Sequence, residues 1–216
     1  MPDFQGFGPG VVDFYLELEQ HNNREWFHAN RARYDSEVAI PLKALASTLE
    51  RAYPPVKVFR PFRNTRFWPE LPPLNEHASL VANAGSSAIY YLRLDADGML
   101  VNGGSHELSK QQLAIFRSIV ATDSGAGEVR ALLAEAKSHG FTLSQEHSLK
   151  TAPRGYSRDH PSIDLLRLRS LALSSHHPPG PWLATRESLA RIIEGWRQVT
   201  PWVAWLRTNL GNAQSG

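Results

Sequence analysis

The segment from Ala88 to Asn102, AIYYLRLDADGMLVN, constrains the fold most because it reads as two strands joined by a tight turn. Ala88 to Leu94 is rich in aromatic and branched residues, and Asp95-Ala96-Asp97-Gly98 has the composition of a turn. This β-hairpin lies between segments with helical patterns. The sequence therefore predicts an α+β protein, a single domain over residues 1–216, with N-terminal helices, a central and mostly antiparallel sheet, and C-terminal helices.

The N-terminal quarter of the chain has the apolar spacing of helices. Val11 to Leu18 follow the breaker Gly8-Pro9-Gly10, and the pair Asn22 and Glu25 resembles a capping box that starts a second helix. Pro41 is expected to interrupt that helix, which then resumes.

Shorter elements are predicted along the rest of the chain. Strands are predicted at Val56 to Arg60 and as a pair formed by Phe141 to Leu143 with Ser148 to Lys150. Helices are predicted at Leu108 to Val120 and Val129 to Ser138, with two more that begin near Thr185 and near Thr200-Pro201. Asp164 to Leu173 is predicted to be a helix or a helix-to-strand passage, His176 to Pro181 an exposed connection, and residues 211–216 a frayed tail. Trp196, Trp202 and Trp205 are predicted to pack in the core. Gly103-Gly104 indicates a strand end or bulge where backbones pass closely, or a small anion nest if the glycines face arginines.

Composition excludes several classes of protein. Of the 216 residues, 42% are hydrophobic and 20% are charged, as in a soluble globular protein, and no apolar run reaches the roughly 18 to 20 residues that span a bilayer. The absence of cysteine excludes disulfides, thiolate catalysis and cysteine-based metal centres. The first ten residues carry neither a basic nor an apolar signal segment, so we expect a cytoplasmic protein with no membrane association.

Charge is distributed unevenly, although the formal net charge is only +2. Residues 1–50 carry eight acidic and four basic side chains, whereas residues 51–80 and residues 147–169 each carry five basic and two acidic ones. Two blocks dominated by arginine indicate a local anion site. The overall charge is too small to favour nucleic acid as a partner.

The second basic block contains the stretch KTAPRGYSRDHP, from Lys150 to Pro161. One interpretation is a loop that launches a helix, with Ser162 as the N-cap. The other is one wall of an anion site, to which Arg154, Arg158 and His160 contribute. An enzyme would use His160 as acid or base, with Asp159 or Tyr156 orienting the reacting groups.

The first basic block supplies Arg60, Arg63 and Arg66, which follow a predicted strand. Their guanidinium groups are suited to clamp a phosphate or a carboxylate with paired hydrogen bonds. They are equally suited to pair with acids of the N-terminal helices, and the sequence leaves both readings open.

Motifs for metals, nucleophiles and nucleotides are missing from the sequence. His176 and His177 are adjacent rather than at ligand spacing, and we predict no metal site. There is no GxSxG elbow and no glycine-rich phosphate loop, so the sequence specifies no cofactor.

Several ordered motifs resemble the DUF2461 family, also called TIGR02453, whose function is unknown. They are FQGF at Phe4 to Phe7, NNREWF at Asn22 to Phe27, Tyr34, Pro41-Leu42, Arg60, the arginine pair of Arg63 to Phe67, Tyr90-Tyr91, Gly103-Gly104 and APRGYSRDHPSIDLLRLRS at Ala152 to Ser170. The resemblance covers residues 4–208 and implies an α+β domain but no particular reaction.

The chain departs from the family in one motif, which runs approximately R-D-x-R-F-S-x-D-K-x-P-Y-K. This sequence keeps Arg63, Arg66, Phe67 and Pro73 of that motif. The other specified positions hold different residues: Asn64, Trp68, Glu70, Leu71, Leu74 and Asn75. The substitutions imply an altered ligand or a non-catalytic member.

These observations lead to one expected function and two alternatives. We expect a small anionic ligand that bears a phosphate or a carboxylate, held in a cleft lined by Arg60, Arg63, Arg66, Arg154, Arg158 and His160. The alternatives are an enzyme that uses His160, and a structural or protein-interaction domain in which the arginines are internal ties. The sequence specifies no oligomeric state.

Overall fold

The computed structural model describes residues 3–64, 70–83, 85–144 and 148–211. The strands are β1 (Val56–Val58), β2 (Ala78–Ala82), β3 (Ile89–Asp95), β4 (Gly98–Ser105), β5 (Thr142–Leu143) and β6 (Leu171–His177). The α-helices are α1 (Val11–Gln20), α2 (Arg24–Ala29), α3 (Arg31–Tyr34), α4 (Ile40–Leu49), α5 (Lys110–Val120), α6 (Asp123–Ser138), α7 (Ile163–Leu166) and α8 (Glu187–Leu210). A six-stranded sheet has the order β1-β2-β3-β4-β6-β5. The predicted α+β class, with N-terminal helices, an antiparallel sheet and a C-terminal helix, is confirmed.

Contacts between Cα atoms divide the chain into two compact units. The first unit comprises Met1–Ala84, Tyr91–Val101 and His176–Glu194. The second comprises Gly85–Tyr90, Asn102–Ser175 and Gly195–Gly216. The extent of the domain, predicted as residues 1–216, stays a prediction.

In the first unit, Pro41 explains how the N-terminal helices are arranged. A π-helical turn, Asp35–Ala39, separates α3 from α4, and Pro41 lies in the first turn of α4. Because proline has no N–H, it leaves the carbonyl of Glu37 without its helical donor. The N–H of Gly8 donates to that carbonyl at 2.9 Å, and the N–H of Gly10 donates to the Glu37 carboxylate at 2.8 Å. The predicted interruption therefore also anchors the start of α1.

The cap of α2 lies one residue later than predicted. Asn23 is the N-cap, and its side chain accepts the N–H of Trp26 at 2.9 Å. The Asn22 side chain instead bonds to both the N–H and the C=O of Leu74, each at 3.1 Å, and to Glu76. Asn22 is unavailable for capping because it acts as a partner for an extended backbone segment.

The edge of the sheet in the first unit is built by β1. It pairs antiparallel with β2, with Val56 opposite Ala82 and Val58 opposite Leu80. Beyond β1, Phe62 forms an isolated bridge with Leu74. The strand β2 was not predicted, because all five of its residues are buried and no apolar-polar alternation marks it.

In the second unit, side-chain caps set the starts of the helices. Ser109 and Gln112 form a reciprocal capping box at α5, and Thr122 caps α6 by accepting the N–H of Gly125. The cap at Thr122 explains why α6 begins at Asp123, several residues before the predicted Val129.

The structure corrects the predicted strand pairing and the predicted connection at His176, and it decides between the two readings of Asp164 to Leu173. Thr142–Leu143 pairs with Ser174 and Leu173 of β6, not with Ser148 to Lys150. Asp164 to Leu173 is a passage from α7 to β6, which confirms the second reading of that segment. His176 and His177 end β6 instead of forming a connection.

The predicted C-terminal helices form one helix, α8, which contains Pro201 in its interior. Thr200 directly precedes Pro201, and its hydroxyl donates to the Trp196 carbonyl one turn earlier at 2.7 Å. Around this turn, Trp196, Trp202 and Trp205 are buried as predicted. The burial of these indole rings outweighs the helix-breaking tendency of proline. None of the helices that the structure describes combines the length and apolarity needed to cross a membrane.

Candidate functional site

A cavity of about 620 Å³ opens in the second unit. It is lined by residues of α6, β5 and α7 and of the segments before and after α7. Its lining combines cationic, hydroxyl and leucine side chains. The lining residues are Arg130, Leu133, Ala134, Lys137, Leu143, Ser148, Leu149, Asp164, Leu165, Arg167 and Leu168. Volumes of this size are typical of sites for small organic ligands. We call this cavity the α6–α7 pocket.

One of the three cations in the α6–α7 pocket is already neutralised. Arg130 donates to both carboxylate oxygens of Asp164, at 2.8 and 2.7 Å. The hydrogen bond from Arg130 holds the pKa of Asp164 below its ordinary value, and the same bond raises the pKa of Arg130. Both side chains are about half exposed, so the pair adds well under ~1 kcal/mol to stability. It serves mainly to fix α7 against α6.

The other two cations carry the unbalanced positive charge. Within the described ranges, neither the ammonium group of Lys137 nor the guanidinium of Arg167 has a carboxylate partner. The Nε of Arg167 is out of contact with solvent and makes no hydrogen bond, and the same holds for the hydroxyl of Ser148. Buried polar atoms normally have partners, so this wall of the pocket has unused donors.

Backbone geometry holds the unused groups in place. Arg167 caps the C-terminus of α7, and its carbonyl accepts the N–H of Leu149 at 2.9 Å. This bond keeps Ser148 and Leu149 next to the end of α7. The position of Arg167 thus depends on main-chain contacts more than on its own side chain.

Leucines form the rest of the lining. Leu165 and Leu168 are buried, whereas Leu133, Leu143 and Leu149 are half-buried. Arg167 is half-buried beside this apolar wall, so a charge brought to it is less screened than at a surface cation, whereas Lys137 is exposed. The pocket can therefore hold an anion that also has apolar surface.

The stretch from Lys150 to Pro161 is a series of turns that leads into α7. Ser162 occupies the predicted N-cap position, but its side chain makes no capping bond. Its own N–H donates to Nδ1 of His160 at 3.1 Å, and the ring of His160 meets Tyr156 edge-on at 6.3 Å between centroids. Asp159 bonds through its N–H to the Ser157 hydroxyl at 3.2 Å. The helix-launching interpretation is confirmed.

The arginines of this loop are accessible. Arg154 and Arg158 are exposed, and in the described part of the chain their side chains have no carboxylate partner. Arg117 lies deeper and donates from Nε to the Leu166 carbonyl at 3.1 Å. Burial lowers the pKa of Arg117, Tyr156 opposes this lowering, and Arg169 adds to it. This side of the second unit is therefore also electropositive.

The first basic block, residues 51–80, lies in the first unit. Arg60 is exposed, and Arg63 is half-buried. Arg63 donates from Nε to the side-chain oxygen of Asn75 at 3.3 Å and from its guanidinium to the Pro72 carbonyl at 3.4 Å. Arg66 lies outside the described residues. A cleft that joins these arginines to Arg154, Arg158 and His160 stays a prediction.

Leu74 and Asn75 have structural roles. Leu74 is fully buried. The side-chain oxygen of Asn75 accepts from Arg63, and its amide group donates to the Arg60 carbonyl at 3.1 Å. Asn75 therefore positions two of the predicted arginines through uncharged contacts.

A second polar cluster lies around His77 in the first unit. Burial lowers the pKa of His77, Arg93 and Arg63 lower it further, and Asp95 and Glu76 oppose this lowering. Arg93 and Asp95 form an ion pair at 2.6 Å. Glu19 has a raised pKa, through partial burial and the carboxylates of Glu76, Asp97 and Asp95.

This cluster predicts how stability depends on pH. A histidine whose pKa is lower in the folded state than its ordinary 6.5 binds a proton more readily when unfolded. The free energy of unfolding is therefore expected to fall as the pH drops from about 7.5 to about 5.5. Urea unfolding across that range measures the slope, and His77→Gln should flatten it. The exposed His28 on α2 gives the control, and a slope unchanged by His77→Gln contradicts the assignment.

His177 is expected to contribute to the same slope. Burial lowers its pKa, and Arg191 and His176 add to the effect. The double variant His77→Gln/His177→Gln should therefore show the flattest pH dependence of the series.

The residues of the α6–α7 pocket were not among the predicted site residues. Arg130, Leu133, Ala134 and Lys137 are spaced i, i+3, i+4 and i+7, which places them on one face of α6. That spacing groups the four residues on one helix face, but it does not mark that face as a binding site. Among the described residues, no group of three or more His, Cys, Asp or Glu side chains is placed to hold a metal ion.

The fold and the pocket define an α+β protein with a cation-lined cavity beside its helices. The family model of the conserved hypothetical proteins called DUF2461 matches residues 10–205, and the chain belongs to this family. No curated protein matches the chain. No solved structure matches it either.

Proposed function

We propose that this protein binds a small anionic ligand, a molecule that bears a phosphate or a carboxylate, in the α6–α7 pocket. The observation that carries the proposal is the pair of cations, Lys137 and Arg167, that line one cavity without a carboxylate partner in the described chain. Besides its buried Nε–H, the guanidinium group of Arg167 carries terminal N–H donors that suit an oxyanion.

Electrostatics favours an anion over a neutral or cationic ligand. Three cations and one carboxylate line the pocket, so two positive charges remain unbalanced. Arg130 is held by Asp164, and its part is to shape the cavity rather than to bind the ligand. A second anion at Arg130 would have to displace that carboxylate.

The loop arginines remain a second location for the same ligand class. Arg154 and Arg158 are accessible, and His160 follows them closely in the chain, but none of the three lines the α6–α7 pocket. The enzyme alternative, in which His160 is acid or base, stays a prediction. We also propose that the protein is cytoplasmic.

The proposal predicts a defined pattern of ligand-induced stabilisation. A ligand at about a hundredfold excess over its Kd stabilises the native state by about 2.7 kcal/mol, which a thermal shift detects. We expect shifts with phosphorylated and carboxylated metabolites that Lys137→Gln and Arg167→Gln reduce. Each lost charged contact weakens binding by about ten- to hundredfold, measured by isothermal titration calorimetry.

Arg154→Gln and Arg63→Gln are the matched controls. Each also removes one arginine but leaves the lining of the α6–α7 pocket intact. Lys137 is exposed near the end of α6, so its substitution tests binding without disturbing the core. Loss of the shift in Arg154→Gln alone moves the site to the loop, and the absence of any shift in the wild type rejects the proposal.

A further inference from the structure

The apolar part of the α6–α7 pocket indicates which anions fit it. We propose that the ligand is an amphipathic anion, with a single phosphate or carboxylate at one end and a flexible or flat apolar body. This inference rests on the proposed function and names the ligand class of the same pocket.

Size is the first argument. The pocket has a volume of about 620 Å³, whereas sites for drug-sized ligands range over roughly 300–1,000 Å³. Inorganic phosphate or acetate, with a handful of non-hydrogen atoms, occupies only a small part of such a space. A ligand that fills it must have a body beyond its charged group.

The chemistry of the lining is the second argument. Leu133, Leu143 and Leu149 are the half-buried members of the five leucines that line the cavity. An apolar body that covers them removes leucine surface from water, which contributes about 25 cal/mol per Å². A ligand that is polar throughout would leave these contacts unused.

The arrangement of charge along α6 is the third argument, and it limits the ligand to one charged end. Arg130 and Lys137 are seven residues apart, which is ~10 Å along a helix, and Leu133 and Ala134 lie between them. Asp164 neutralises the Arg130 end through two hydrogen bonds. The uncompensated charge is left to Lys137 and Arg167, which both line the pocket. We infer that the anionic group lies at these two residues and that the body extends over Leu133.

The experiment is a chain-length series on the full protein. Straight-chain monocarboxylates from acetate to octanoate, and the corresponding alkyl phosphates, are titrated by isothermal titration calorimetry, with inorganic phosphate and octan-1-ol as references. Each methylene that becomes buried is expected to lower the Kd about fourfold until the pocket is full. Octan-1-ol should bind at least tenfold more weakly than octanoate, because it lacks the charge.

Two variants separate the charged end from the body. Lys137→Gln should raise the Kd of every anion in a series by the same factor and leave the change in Kd per methylene unchanged. Leu133→Ala should leave the Kd of acetate unchanged and reduce the change in Kd per methylene. Because alanine is the best helix former, the substitution should leave α6 intact.

The outcomes distinguish this inference from the proposed function. If Kd does not change with chain length in either series while Lys137→Gln still weakens binding, an anion site exists but the amphipathic class is wrong. If dicarboxylates bind more tightly than monocarboxylates of equal length, the single charged end is wrong. If no anion binds, both the inference and the proposed function fail.

Discussion

Replacing Gly104 with alanine is expected to destabilise the protein by about 1–3 kcal/mol, a large fraction of the stability of a typical domain. Gly104 has a φ of 131°, a conformation that side-chain-bearing residues rarely adopt. A Cβ at this position would lie closer than 3.0 Å to the Leu171 carbonyl oxygen and 3.1 Å from the Cα of Ala172. Both obstacles are backbone atoms of β6, the neighbour of β4 in the sheet, and they cannot rotate away as a side chain can.

Gly127 is the matched control for this substitution. It lies inside α6, and a Cβ there would meet no atom within 4 Å. Gly127→Ala is therefore expected to stabilise the protein by about 0.4–1 kcal/mol. Urea unfolding of the two variants and the wild type measures both changes. Equal stability of Gly104→Ala and the wild type would mean that β4 and β6 do not pass this closely.

Local patterns account for what the sequence predicted correctly. The close approach at Gly103-Gly104 was predicted from the residue type alone, and a Cβ at Gly103 would likewise lie closer than 3.0 Å to the Val199 side chain. The hairpin of β3 and β4 was predicted because Asp95, Asp97 and Gly98 have defined roles in turns. The Asp95 side chain accepts the N–H of Asp97 at 3.0 Å, and Gly98 has a φ of 114°.

Non-local pairing accounts for the errors in the fold. Thr142 pairs with Ser174, more than thirty residues later, and nothing in the sequence near Thr142 specifies that partner. Val56 and Ala82 meet in the same way across a long connection. Pro201 was read as a helix start from its local signature, but burial of the neighbouring tryptophans keeps α8 continuous. Tertiary packing overrides local propensity in these cases.

In the candidate site, too, local sequence predicts some features, whereas others arise only when distant segments come together. The basic loop is conspicuous in sequence because its charged residues lie within one stretch of twelve, Lys150 to Pro161, and it was predicted to be a loop that launches a helix. The α6–α7 pocket combines Lys137 on one helix with Arg167 at the end of another and Ser148 in a connecting segment. Each of these residues is unremarkable in its own segment, so only the folded arrangement makes them a set.

Trp202 is the residue whose removal is expected to cost the second unit most. Its side chain is 1% exposed, and the ring stacks on Trp205 with 5.7 Å between centroids. Its Nε1–H donates to the Leu171 carbonyl at 2.9 Å. Trp202→Ala removes the ring and this hydrogen bond together, and we expect a loss of about 3–5 kcal/mol in the free energy of unfolding.

Trp202→Phe separates the two contributions. Phenylalanine keeps a ring between α8 and the sheet but has no N–H, so the Leu171 carbonyl loses a buried donor at a cost of about 1–3 kcal/mol. Urea unfolding should therefore rank wild type, Trp202→Phe and Trp202→Ala in decreasing stability. Equal stability of Trp202→Phe and the wild type would mean that the hydrogen bond contributes nothing. A loss below about 1 kcal/mol in Trp202→Ala would contradict the burial of this ring and the packing of α8 on β6.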